Sequence, residues 1–180
     1  GLGVENISVT FVKMEGHLKG LDREAIRKVL IEFPRTLRRI IIAGGITTLE
    51  DLQFLWSFDR VIPQLGSAIW KGKITPGEIF AEMAKYNEKG LLPAVVVADN
   101  KIVKGEVFMN REALIKTCET QSLHRFSREH NKVLEKGETS GDFQKVKSLR
   151  FDCDSDCLLV TVDSAKNFCH NKTFSCFDNM

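Results

Sequence analysis

The feature that most constrains this chain is a change of hydrophobic period near its middle. Up to about residue 88, short apolar runs alternate with amphipathic stretches; from Leu91 onward, strand-like segments follow one another with one short helix among them. Ile7 to Val12, Arg39 to Ala43 and Val61 to Leu65 read as strands, with Pro63 weakening the third. Helices are expected from Glu24 to Ile31 behind an Asp22 cap, from Thr47 and Thr48 through Leu55, and from Thr75-Pro76 along Ile79, Phe80 and Met83. Short strands divided by helices predict a parallel sheet with helical cover. Three such units are too few to close an eight-stranded barrel, so the first region is expected to be an α/β segment of a partial barrel.

The last of these helices should fray at Asn87 to Gly90. Leu92 to Val97 then reads as a strand, Ala98 to Lys101 as a turn into Ile102-Val103, and Arg111 to Thr117 as a helix. Lys145 to Val162 and the cysteine-rich end carry no helical period. This is an α+β pattern rich in antiparallel strands, and the boundary is expected between Tyr86 and Leu91, giving regions 1–87 and 88–180.

The apolar fraction of 43% is ample for one core or two small ones. Lys plus Arg (26) barely exceeds Asp plus Glu (24), which argues against a dedicated nucleic-acid partner, although a phosphate-bearing small molecule needs only a local basic pocket. The apolar runs Leu91 to Ala98 and Ile40 to Ala43 are too short for a membrane span, and no secretory leader is expected. The chain opens on Gly1 rather than Met, which leads one to expect an upstream segment that has been removed or that belongs to a longer parent polypeptide. Five unevenly spaced cysteines, four of them in the last 28 residues, do not resemble a disulfide framework; free or metal-bound thiols in a cytoplasmic protein are expected.

The most informative stretch runs from Phe151 to Val162. If extended, its period of two puts Asp152, Asp154 and Asp156 on one face and Cys153 and Cys157 on the other. Three carboxylates in a row repel unless a cation compensates, which suits Mg2+. Cys153, Cys169 and Cys176 could give Zn2+ three soft ligands and leave a fourth position for water. The spacing alone leaves other readings open. The cysteines also read as small core residues beside an exposed acidic face, or as part of a four-ligand structural site using Cys157 or His170.

Five ordered segments bring a family into view: Leu91-Leu92-Pro93-Ala94-Val95-Val96, Met109-Asn110-Arg111-Glu112-Ala113-Leu114, Lys136-Gly137-Glu138-Thr139-Ser140-Gly141, Asp152-Cys153-Asp154-Ser155-Asp156, and Cys169-His170 followed by Ser175-Cys176-Phe177. Over about 90 residues the chain resembles phosphoribosyl-AMP cyclohydrolase. The resemblance implies a homodimer with active sites between subunits, zinc on Cys153, Cys169 and Cys176 drawn from both subunits, and magnesium on Asp152, Asp154 and Asp156. It implies hydrolytic opening of the adenine ring of phosphoribosyl-AMP between N1 and C6, in histidine biosynthesis, with zinc activating the water and His170 moving a proton or orienting the site. Arg128, Lys132 and Lys136 are the expected phosphate partners, with Thr139 and Ser140 as hydroxyl donors. The chain departs from the family pattern at Asn171 and Lys172, at His130 and Leu134, and at Lys104-Gly105-Glu106, which interrupts a strand usually apolar.

The first region resembles the last three strand-helix units of the phosphoribosylformimino-AICAR-phosphate isomerase barrel. Gly44 and Gly45 before Thr47-Thr48-Leu49-Glu50-Asp51-Leu52, and Gly66 with Ser67, match its phosphate-gripping turns. Glu15 stands where that family has an aspartate, and its earlier catalytic aspartates have no counterpart, so isomerase activity is not expected. The fold implied is an α/β partial TIM-barrel segment followed by an α+β cyclohydrolase domain. The rival reading is a non-catalytic structural zinc module or a barrel-completing subunit.

Overall fold

The computed structural model describes residues 3–14, 16 and 20–178, and Glu15 lies outside them. The chain divides into two compact units between Thr75 and Pro76. In the first, β1 (Asn6–Thr10), β2 (Arg39–Ala43) and β3 (Val61–Gln64) form a parallel sheet in that order. α1 (Arg23–Glu32) and α2 (Leu49–Trp56) are the crossovers, and α3 (Ser67–Trp70) is a single turn after β3. Pro63, which lacks a donor, is tolerated because β3 is an edge strand of this sheet.

Both crossover helices start where the short polar residues predict. Asp22 Oδ1 accepts from the Ala25 amide at 3.0 Å. Thr48 Oγ1 accepts from the Asp51 amide at 3.3 Å, and Asp51 Oδ2 accepts in return from the Thr48 amide at 3.3 Å, closing a reciprocal cap. Ile26, Ile40, Ile42, Leu52 and Leu55 are fully buried.

The second unit begins with α4 (Pro76–Glu82), which the sequence pattern attaches to the first region. It packs instead on α5 (Arg111–Thr120), which is why the compact division falls at Thr75/Pro76 rather than at 87/88. The main sheet holds β4 (Leu92–Ala98), β5 (Val103–Met109), β8 (Val146–Phe151) and β9 (Leu158–Val162) in the order β5-β4-β9-β8. Only β4 and β9 run parallel; their partners on either side are antiparallel. β6 (His124–Ser127) and β7 (Lys132–Glu135) form a separate hairpin. Pro93 pairs with β5 alone, since β9 joins β4 one residue later, at Ala94.

Alternate residues of β4 and β9, namely Leu92, Ala94, Val96, Ala98, Leu158, Val160 and Val162, turn to one face and form the core with Met109, Ala113, Leu114 and Leu123. Phe80 stacks on Phe151 at 4.4 Å to close its side. Opposite Val96 and Val97, β5 carries a bulge: Val96 pairs with Gly105 and Val97 with Val103, leaving Lys104 as the extra residue.

Residues 152–157 are not extended. They are bends of the loop joining β8 to β9, with Ser155 at φ 67°, so the two-faced strand expected there does not form. Among the described residues no helix is long and apolar enough to cross a membrane.

Leu158 is fully buried where β9 enters the core, so Leu158→Ala is expected to lower the unfolding free energy by about 2–5 kcal/mol, read from urea unfolding of the chain.

Candidate functional site

The β8–β9 loop does with a turn what a strand cannot. Along an extended strand Asp152 and Asp156 would sit roughly 13 Å apart. Here ligand oxygens of Asp152, Asp154 and Asp156 all lie within 4.8 Å of one another, exposed to solvent. The loop is closed by the Asp152 amide donating to Cys157 O at 3.1 Å and the Cys157 amide donating to Asp152 Oδ1 at 3.2 Å. The Lys85 amide donates to Ser155 O at 2.8 Å. Asp154, burial and Asp152 push the Asp156 carboxyl above its usual range, against the pull of Lys85. Oxygen ligands with surplus negative charge suit a hard divalent cation.

The second cluster follows β9. Residues 168–178 fold as a tight loop, held by the Phe168 and Cys169 amides donating to Thr173 O at 3.1 and 3.2 Å. Its exit lies along β5, where the Cys176 amide donates to Lys104 O at 2.8 Å and Ser175 Oγ donates to Val103 O at 2.8 Å. A side chain at position 105 would meet this loop: its Cβ would lie 2.8 Å from Phe168 Cε1 and 3.1 Å from Cys176 Sγ, so Gly105 lets the loop approach.

The free Cys169 and Cys176 thiols lie within interacting reach of each other, and their acidities separate. Cys169 is drawn below the ordinary thiol range, first by the Asn171 backbone, then by Thr173, Cys176 and the Lys136 ammonium, against its burial. Cys176 is pushed up by burial and by Cys169. Two neighbouring thiols, one of them drawn toward its thiolate form beside a lysine, suit a soft metal. His170 Nδ1 is 3.9 Å from Cys169 Sγ.

These groups open onto a cleft of about 450 Å³ whose walls include Glu106, Phe108, Arg125, Arg128, Lys136, Phe168, His170 and Cys176. Arg128 lies over the Phe108 ring at 4.3 Å and Lys136 over the Phe168 ring at 4.5 Å. Burial, and then Arg125, holds the Lys136 ammonium below its usual range. The single chain thus gathers Cys169, Cys176, His170, Arg128 and Lys136. Lys132, Thr139 and Ser140 are exposed and do not line the cleft, and Ser140 Oγ accepts from the Asp142 amide at 3.2 Å. Cys153 is exposed in the acidic loop; among the described residues no three ligands that include a cysteine come within 4.8 Å of one another. Cys118 and Cys157 are free and half-buried rather than buried, with burial pushing the Cys118 thiol up to about 11.

Arg125 and Glu106 escape a reading of the sequence. Nothing local marks them, and only the packing of β5 against β6 turns both to one cleft. In the first unit, Gly44, Gly45, Gly66 and Ser67 line one cavity of about 100 Å³ with Ala43, Thr47 and Gln64. Gly44, at φ 92°, has room for no side chain, since a Cβ would lie 2.7 Å from Phe11 O.

Residues 106–178 match the family described as phosphoribosyl-AMP cyclohydrolase. The phosphoribosyl-AMP cyclohydrolase of Methanocella arvoryzae is 49% identical over 90 residues, which are 49% of this chain and 75% of that protein. The cyclohydrolase of Pelotomaculum thermopropionicum is 47% identical over 94 residues, 52% of this chain and 73% of that protein. The histidine biosynthesis bifunctional protein HisIE of Bacillus subtilis is 44% identical over 98 residues, covering 54% of this chain. The match spans about half of that bifunctional relative, 47% of its length.

The acidic loop carries its own test. A carboxyl whose acidity is weakened by folding favours the folded chain at low pH and loses that contribution as pH rises through its raised value. The metal-free chain should therefore lose stability on going from about pH 4 toward neutrality at this loop, and Mg2+ should restore it. Scanning calorimetry is expected to show a Mg2+-dependent rise in Tm at pH 7 that shrinks toward pH 4 and largely disappears in Asp156→Asn; a Tm indifferent to Mg2+ at every pH would refute it.

Proposed function

Because this chain belongs to the phosphoribosyl-AMP cyclohydrolase family, hydrolases of histidine biosynthesis, we propose that residues 88–180 open the adenine ring of 1-(5-phosphoribosyl)-AMP by adding water at C6 and breaking the N1–C6 bond. The observation that carries this reading is one cleft whose walls hold Cys176, His170, Arg128 and Lys136, with the Cys169 thiol beside His170.

The donor chemistry fits zinc as half a site. Cys169 and Cys176 present two neighbouring thiols, the first drawn below its ordinary range, and in this reading Cys153 of the partner subunit completes the set in a homodimer. Zinc held by three thiolates supplies Lewis acidity that draws the pKa of a water toward neutrality. His170, beside Cys169 Sγ, takes the proton from the attacking water and delivers it to N1 as the ring opens. Arg128 and Lys136, backed by aromatic rings, hold the phosphates. Asp152, Asp154 and Asp156 would hold Mg2+ to seat the phosphorylated ribose. The first unit is assigned as a barrel segment whose Gly44, Gly45, Gly66 and Ser67 cavity accepts a phosphate without isomerase chemistry.

Two measurements test the assignment. With phosphoribosyl-AMP as substrate, the absorbance change of ring opening should fall by more than about 100-fold in Cys169→Ala, roughly 2.7 kcal/mol of barrier. Retained activity would remove the catalytic role, and a metal bound by four protein ligands would favour the structural-module reading. Mixing inactive Cys153→Ala and Cys169→Ala dimers should restore about a quarter of wild-type activity through heterodimers with one intact site, and none if each site lies within one subunit.

A further inference from the structure

The residue that most contradicts a sequence reading of the second unit is Lys104. A lysine in a core strand would normally disrupt it, yet this side chain is fully buried. The bulge in β5 explains how. As the extra residue opposite Val96 and Val97, Lys104 drops out of the strand's alternation and is aimed away from the neighbouring pairs.

Its hydrogen-bond acceptors are neutral, and its contacts flank and enter the cysteine loop. Nζ donates to Lys166 O at 2.5 Å and to Gln144 Oε1 at 3.3 Å, and lies over the Phe174 ring at 4.2 Å. Gln144 extends the grip, donating from Nε2 to Asn167 O at 2.7 Å and to Asp142 O at 2.8 Å. The carbonyl of Lys104 accepts from the Cys176 amide at 2.8 Å. Lys104, with Gln144, thus holds the loop's entry at 166–167, and Lys104 itself holds its exit at 174 and 176; Cys169 lies between these anchors and Cys176 is part of the second. Removing the ammonium would leave Lys166 O and the Gln144 amide oxygen without their donor, in a place water does not readily replace it.

We propose that Lys104 is a positioning residue for the Cys169–Cys176 thiol pair, its bulged, buried ammonium fastening both arms of the loop so that the two sulfur atoms face each other before any metal arrives. The functional meaning of that pairing rests on the cyclohydrolase reading; the pairing itself does not.

The test uses the full chain carrying Cys118→Ser, Cys153→Ser and Cys157→Ser, freed of metal by a chelator, so that Cys169 and Cys176 alone react. Dibromobimane, which fluoresces once it has bridged two neighbouring thiols, should bridge this chain readily and several-fold more slowly after Lys104→Met. In the chain with all five cysteines, Lys104→Met should weaken Co2+ binding, read from thiolate-to-cobalt absorption, by about tenfold, while the Mg2+-dependent rise in Tm stays unchanged. Equal bridging by a Lys104→Met chain with native circular dichroism would overturn the proposal. If Lys104→Met does not fold, Gln144→Leu, which cuts the link to Asn167, takes its place, with slower bridging expected and unchanged bridging decisive against it. Bridging needs neither substrate nor partner subunit, so Lys104-dependent bridging together with no purine-ring opening by the chain with all five cysteines would overturn the activity alone.

Discussion

The chemistry of the second unit depends on the register between β4 and β9. β4 buries every second side chain, and it takes β5 antiparallel on one edge and β9 parallel on the other. Parallel neighbours need a long connection, and here the chain fills it with β5, α5, the β6–β7 hairpin and β8. The acidic loop therefore enters β9 and the cysteine loop leaves it, so both are placed by the same five paired residues, Leu158 to Val162. A slip of one residue would turn Leu158, Val160 and Val162 outward and move both loops together.

The two loops manage charge in opposite ways. The acidic loop keeps three carboxylates close in solvent and tolerates their repulsion, which shows as a raised Asp156. The cysteine loop divides its acidity between two sulfurs, one drawn down and one pushed up, beside a lysine that is itself held down by burial and by Arg125. A bound cation relieves the first arrangement and favours the thiolate form of the sulfurs in the other. Each loop has hard or soft ligands according to what its own backbone can bring together.

Much of the fold was legible along the chain. Asp22 and Thr48 stand where they cap, β2 runs over the same five residues that the pattern predicts, and the change of period separates parallel strand-helix repeats from a mixed sheet. The ordered motifs pointed to His170, Cys169, Cys176 and Lys136, and Arg128 was a candidate from outside them; Cys176, His170, Arg128 and Lys136 share one cleft, with Cys169 beside His170. α4 was assigned by adjacency to the helices before it, whereas its apolar stripe found α5. Residues 152–157 read as a strand because alternating Asp and Cys mimic its period, and the loop's reciprocal bonds between residues 152 and 157 override that pattern.

By itself, then, the sequence determined the elements, their caps and the residue types available for chemistry, since periodicity and capping depend on neighbours a few positions apart. Tertiary structure alone decided that Arg125 and Glu106 share a cleft with His170, that Cys153 stands apart from the other two thiols within one chain, and that Lys104 is buried rather than a fault in its strand. Those outcomes follow from strand register, a single-residue bulge and the close approach allowed at Gly105, which join residues some 20 to 70 positions apart that no local pattern connects.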